Sequence, residues 1–188
     1  TSPADGGVIL STGGLSSIEF IDCRFERNVA KHSGGVVRAN SAALFTAKNS
    51  LFLRNIAAGA DGNGYGGAVY LSGRQPDTQT QTVIEGCEFR ENNASFWGGA
   101  LCHDTMGNLA VMDTTVAMNW AGYKGGGVRA SGGIQEVLTV TVMVESSNFS
   151  RNGAENGGGL SMQGNLTVII ENSLFDDNFA SAHGGGVF

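Results

Sequence analysis

The chain has 188 residues, 30 of them glycine, with 41% hydrophobic residues and a formal net charge of −6. Glycine is at roughly twice its usual share of about 7% but is not in a Gly-X-Y register, so collagen is excluded, and the apolar content excludes a disordered chain. The acidic balance argues against nucleic acid and against anionic membrane as partners, and no window approaches the roughly 18 apolar residues of a membrane span, so no membrane insertion is expected of this segment.

Two phrases alternate along the chain. A glycine pair opens at Gly6, Gly34, Gly66, Gly98, Gly125, Gly157 and Gly184. A [Phe/Val]-x-x-Asn phrase falls at Phe25/Asn28, Phe52/Asn55, Phe89/Asn92, Val116/Asn119, Phe149/Asn152 and Phe175/Asn178. Two residues after each asparagine stands an alanine: Ala30, Ala57, Ala94, Ala121, Ala154 and Ala180. Successive asparagines are 27, 37, 27, 33 and 26 residues apart, and a repeat of 20–50 residues marks a solenoid, a propeller or an array.

Inside each unit the apolar period is two, the period of strands. After the glycine pair a buried column reads Ile9, Val37, Val69, Leu101, Val128, Leu160, Val187, and the next position, Leu10, Arg38, Tyr70, Cys102, Arg129, Ser161, is expected to face solvent. A second strand carries Ile18, Phe45, Thr82, Leu109, Val142, Val168 and Phe20, Ala47, Ile84, Val111, Val144, Ile170 inward. A turn residue follows (Asp22, Asn49, Gly86, Asp113, Ser146, Asn172), then a small residue and the Phe of a third short strand. The expected fold is therefore all-β: a single-stranded parallel β-helix of about six to seven coils, three short strands each, running through residues 1–188 as one segment. The asparagines Asn28, Asn55, Asn92, Asn119, Asn152 and Asn178 are expected to form an internal amide ladder, since an amide carries both donor and acceptor. Gly184 to Phe188 begins another repeat, so the chain reads as a mature piece of a longer array whose ends are covered by further coils or caps.

The alternation of Phe-x-x-Asn with Gly66-Gly67-Ala68-Val69 and Gly98-Gly99-Ala100-Leu101 resembles the repeat of polymorphic outer membrane proteins, surface proteins of the autotransporter type from chlamydiae. The likeness covers nearly the whole chain, with Val116 in place of Phe and with Val36, Gly127, Gly159 and Gly186 in place of Ala. It implies a right-handed winding, exposure at a cell surface and adhesive use. It is a scaffold signature and brings no catalytic residue with it.

The candidates for function are few. Tyr65, Phe96, Trp97, Trp120, Tyr123 and Lys124 lie at or near the residues just before glycine pairs, and form either a glycan- or protein-binding ridge or a cover for their own corner. Glu145 and Glu171 fall in one column on adjacent coils, as an acid–base pair or as a solvated edge. Asn93, Asn148 and Asn165 open N-x-[ST] sequons, candidate glycosylation sites of a secreted chain. Asp61-Gly62-Asn63-Gly64 offers oxygens for calcium through Asp61 and Asn63 but also reads as a plain turn; no other cofactor is implied. Arg54 with Glu91, and Arg151 with Asp177, are expected as ion pairs between coils. Cys23 and Cys87 share a column two coils apart, roughly 9–10 Å, too far for a disulfide; Cys102 is expected in the solvent column, either free or cross-linked. His32, His103 and His183 show no metal spacing. The expected function is a non-enzymatic extracellular or cell-surface spacer, filament component or adhesin, with a carbohydrate-active enzyme or a glycan-binding module as the alternatives.

Overall fold

The computed structural model describes residues 6–12, 16–40, 42–60, 62–73, 81–132 and 139–188. The described residues form 24 strands and no helix. The strands sort into four parallel sheets of six, each sheet taking every fourth strand, which makes a parallel β-solenoid. The first sheet holds Ile9–Ser11, Val37–Asn40, Val69–Gly73, Leu101–Thr105, Val128–Ser131 and Leu160–Gln163. The second holds Ser16–Ile21, Ala42–Lys48, Gln81–Glu85, Asn108–Met112, Val140–Glu145 and Leu166–Glu171. The third holds Arg24–Glu26, Leu51–Leu53, Glu88–Arg90, Thr115–Ala117, Asn148–Ser150 and Leu174–Asp176. The fourth begins directly after each ladder asparagine, one residue before the alanine, at Val29–Ala30, Ile56–Ala57, Asn93–Ala94, Trp120–Ala121, Gly153–Asn156 and Phe179–His183.

That fourth sheet corrects the expectation of three strands per unit. Most of its strands are only two residues long, too short to show a period of two. The alanine at each second position faces inward and is fully buried from Ala30 to Ala154. A side chain larger than a methyl would not fit there, and that is why the alanine column has no exception.

The registers match the columns read from sequence. Val37 pairs with Val69, Val69 with Leu101, Leu101 with Val128, and Val128 with Leu160. In the third sheet Phe25, Phe52, Phe89, Val116, Phe149 and Phe175 are successive partners. Their rings stack where neighbours are both aromatic: Phe52 on Phe89 at 4.4 Å and 3°, Phe149 on Phe175 at 4.8 Å and 13°. Val116 interrupts the stack and fills the same layer.

The bends between sheets are fixed by residues with positive φ. Asp22, Asn49, Gly86, Asp113, Ser146 and Asn172 adopt φ of 46–60° between the second and third sheets. The next bend uses Arg27, Arg54, Glu91, Met118, Arg151 and Asp177 at φ of 52–56°. These are long side chains in a conformation that costs L-residues about 1 kcal/mol or more, and the hydrogen bonds of the neighbouring asparagine hold them there. At the glycine pair, Gly98 has φ 64°, and a Cβ on Gly99 would lie 2.0 Å from the carbonyl oxygen of Gly126 on the adjacent coil. The first glycine supplies the turn and the second permits the close stacking.

The asparagine ladder runs in one direction. Each Oδ1 accepts from both the backbone N–H and the Nδ2 of the preceding asparagine, at 2.9–3.0 Å, from Asn28 through Asn178. Each Nδ2 from Asn55 onward also donates to the carbonyl of the Phe or Val on the coil before, at 2.7–3.1 Å. A second ladder, of hydroxyls, follows the other bend. Ser50, Thr114, Ser147 and Ser173 each accept from the backbone N–H of the preceding coil and donate to a carbonyl two residues back. Cys23 and Cys87 occupy the same column as thiols and are unbridged. The expected ion pairs are present at the surface: Arg54–Glu91 at 2.8 Å and Arg151–Asp177 at 3.4 Å.

Asn119→Ala removes the acceptor of two buried donors on Asn92 and orphans part of Phe89 and Asn152. At about 1–3 kcal/mol per buried group left unpaired, the variant should lose about 3–5 kcal/mol and roughly 8–15 °C in melting temperature. Circular dichroism melts check this, with the exposed Asn93→Ala as a control expected to stay within about 0.5 kcal/mol of the parent.

Candidate functional site

The residues just before the glycine pairs form the corner between the fourth and first sheets. Backbone bridges join Tyr65 to Trp97, Trp97 to Lys124 and Lys124 to Asn156, so these side chains stand one above another. Their main chains are tied by Gly66 N–H to Trp97 O at 2.8 Å and Gly98 N–H to Lys124 O at 2.9 Å. Tyr65 lies 5.0 Å from Trp97, Phe96 stacks on Trp97 at 4.9 Å and on Tyr123 at 5.3 Å, and the Lys124 ammonium sits 5.2 Å over Tyr123.

This corner leans over the outer face of the first sheet and overturns one expectation. The column expected in solvent is largely covered: Cys102 is 0% exposed, Arg129 4% and Tyr70 9%. The Arg129 guanidinium lies 3.9 Å from the Trp97 ring centroid, and Tyr70 is 5.2 Å from Tyr65. A solvated guanidinium needs no cover, but a long aliphatic stem and a planar head pack well beneath an indole. The solvent column is thus a second, outer layer between the sheet and the corner. Cys102 is a free thiol inside that layer, not at the surface, and burial pushes its pKa up to about 12.

The structure brings together Tyr65, Phe96, Trp97, Tyr123 and Lys124 but separates Trp120 from them. Trp120 is on the outer face of the fourth sheet, 47% exposed, with its six-membered ring over Gly153, where a Cβ would meet it at 2.4 Å. Sequence reading missed Tyr70, Asp104, Arg129 and Gln163 as parts of the corner. The signal was present in the coincidence of bulky corner residues with bulky residues five positions later, Tyr65 with Tyr70 and Lys124 with Arg129.

Charge is distributed sparingly around this layer. Arg129 Nη1 is 3.9 Å from Asp104 Oδ1, which also accepts from Ser131 Oγ. Arg129 Nη2 and Lys124 Nζ both reach Gln163 Oε1, at 3.4 and 3.5 Å. Arg129 Nε and Nη1 and Trp97 Nε1 are buried without a hydrogen-bond acceptor.

The other candidates are dispersed. Glu145 and Glu171 are register partners on the second sheet. A groove of about 260 Å³ crosses the same outer face where the small Ala110 sits between Val83 and Met143, but neither carboxylate lines it. Asn93 and Asn165 are exposed and Asn148 is half-buried on the third sheet. Asn63 accepts from the Tyr65 hydroxyl at 3.2 Å; Asp61 lies outside the described residues. Among the described residues no group of three or more His, Cys, Asp or Glu is placed to hold a metal ion. His183 Nδ1 is 2.9 Å from Asn156 Oδ1.

His103 faces the interior, with Leu71 and Ala130 as register partners, and is fully buried. Its Nε2 is 3.0 Å from Thr105 Oγ1 and its Nδ1 has no partner. Burial lowers its pKa from 6.5 to about 4, against a smaller opposing pull from Asp104.

Set against family models, curated proteins and solved structures, the chain matches none of them.

The His103 shift fixes a pH window. Below pH 6.5 the unfolded chain takes up a proton that the native chain refuses until about pH 4. Stability is therefore full above pH 6.5 and falls as the pH drops toward 4, by about 3 kcal/mol at 1.36 kcal/mol per pKa unit. Urea midpoints at pH 7 and pH 4.5 should separate widely for the parent chain and much less for His103→Leu.

Proposed function

We propose that the chain is a rigid, non-enzymatic stretch of an extracellular or cell-surface protein, serving as spacer, filament component or adhesin scaffold. The single observation that carries this reading is where the polar chemistry goes. The asparagines and the hydroxyls after the second sheet are spent on the adjacent coil, as are the bend charges of Arg54 with Glu91 and Arg151 with Asp177. Such a network makes a stiff unit whose length scales with the number of coils. The likeness to polymorphic outer membrane protein repeats supports the same reading. It also supports a right-handed winding of about six to seven coils, because the pattern of Phe-x-x-Asn and Gly-Gly-Ala is carried along nearly all the chain.

A carbohydrate-active enzyme on this scaffold would need paired carboxylates in an open groove. Glu145 and Glu171 are paired but lie beside the groove near Ala110, not in it. The sequons at Asn93 and Asn165, both exposed, accord with a secreted chain.

The test joins activity with display. The purified chain, incubated with a panel of neutral and acidic polysaccharides, should give no more reducing ends or unsaturated products than buffer. Beads coated with the chain should bind epithelial cells at least about threefold above albumin-coated beads if it serves as an adhesin, and at the albumin level if it serves as a spacer. Turnover above buffer that disappears in Glu145→Gln would overturn the reading in favour of the enzyme.

A further inference from the structure

Lys124 and Arg129 bring two cations to one neutral oxygen. Gln163 Oε1 is 3.5 Å from Lys124 Nζ and 3.4 Å from Arg129 Nη2, both long for a charge-assisted contact. Gln163 is exposed and at the end of its strand, so its side chain is free to leave. Among the described residues no carboxylate stands within ion-pair distance of Lys124, and the one nearest Arg129, Asp104, is 3.9 Å away and shared with Ser131. Arg129 is 4% exposed and still has Nε and Nη1 without acceptors. A buried guanidinium held by one long ion pair and an indole face, beside a second cation, has capacity for further negative charge. It occurs on a chain whose net charge is −6, so the local sign is opposite to the global one.

We propose that this corner binds the carboxylate or sulfate of an acidic polysaccharide, with a ligand oxygen replacing Gln163 Oε1 between Lys124 Nζ and Arg129 Nη2. The rest of the face suits an extended sugar chain. Asn40, Ser72, Asp104, Ser131 and Gln163 are successive register partners, one per rung, on the outer side of the first sheet. They line that side with amide, hydroxyl and carboxylate groups at about 4.8 Å intervals along the solenoid axis, four of the five paired within the row: Ser72 Oγ donates to Asn40 Oδ1 and the buried Ser131 donates to Asp104 Oδ1. Arg38, stacked on Tyr70 at 5.7 Å, stands three rungs from Arg129 in the adjoining column, roughly 14 Å away. Cations at intervals with a row of polar side chains between them match a polymer with repeated acids and many hydroxyls. An acidic peptide has the charges but not the hydroxyls. The half-buried Phe96 and Tyr123 rings flank the cationic focus and shield it from water. A spacer needs no ligand, so this proposal stands or falls separately from the structural reading above.

Isothermal titration of the purified chain at low salt tests it, with a heparin hexasaccharide, an alginate hexasaccharide, cellohexaose and hexaglutamate as probes. Binding of either acidic sugar, at least about tenfold tighter than cellohexaose and hexaglutamate, is expected, and the heparin and alginate arms separate sulfate from carboxylate. Lys124→Gln should weaken the acidic sugar at least about tenfold, the scale of one charged hydrogen bond. Gln163→Glu should abolish binding, because its own carboxylate takes the ligand's place, and should raise the melting temperature. Gln163→Ala should bind at least as tightly as the parent. Parent-like melting of Lys124→Gln and Gln163→Ala shows that the fold is intact. Equal binding of hexaglutamate, undiminished binding in both Lys124→Gln and Gln163→Glu, or no binding of either acidic sugar would each overturn the proposal.

Discussion

One constraint orders the rest of this molecule: the buried polar groups at the bends of a coil must find their partners on the coil above or below. The asparagine ladder meets it most economically. Each Oδ1 takes two donors from the preceding asparagine, and each Nδ2 gives to an oxygen on either side. An aspartate would lack the donors and a leucine would leave the backbone N–H of the bend unpaired. The ladder also explains how Arg54, Glu91 and Met118 tolerate positive φ one residue earlier. The bend is held from inside, and the side chains outside it are left to form weak ion pairs. The hydroxyl ladder at the preceding bend does the same work with smaller groups, and a thiol at Cys23 or Cys87 is accepted because the column needs little room.

In-register stacking has a second consequence on the outside. A side chain at one corner cannot act alone, since its neighbours above and below are at rung spacing. Tyr65, Trp97 and Lys124 therefore make a continuous cover, and the first sheet gains an outer layer of Tyr70, Cys102 and Arg129 beneath it. The corner is in part structural for that reason: Trp97 has Arg129 over its ring and Phe96 stacked against it. What it leaves unsatisfied is charge, at the point where Lys124 and Arg129 meet Gln163.

Much of the fold was legible because the repeat aligns equivalent residues without any second sequence. The columns through Val37, Phe52 and Asn92 were readable as core and ladder, since Val37 and its equivalents stand three residues after the first glycine of each pair and each asparagine stands three residues after its Phe or Val and two before an alanine. The fourth sheet was not, because two-residue strands such as Val29–Ala30 are shorter than the period that reveals a strand. The burial of Arg129 and Cys102 was hidden for a different reason. Alternation predicts which way a side chain leaves its sheet, but not whether something from the previous corner then covers it. Trp120 lies close in sequence to Tyr123 and Lys124 before the Gly125 pair, but the bend at Gly122 to Lys124 puts it on a different face. The hydroxyl ladder was visible only as a run of small residues, because size and hydrogen bonding select the same amino acids there.

The asparagines are interior rungs, not surface amides. Side-chain amide hydrogen exchange of Asn55, Asn92, Asn119 and Asn152, followed by NMR in the folded chain, tests it most directly. Their Nδ2 protons should be protected to the same degree as backbone amides of the core strands, while those of Asn93 and Asn165 exchange at once. Exchange of the ladder amides as fast as those of Asn93 and Asn165 would contradict it.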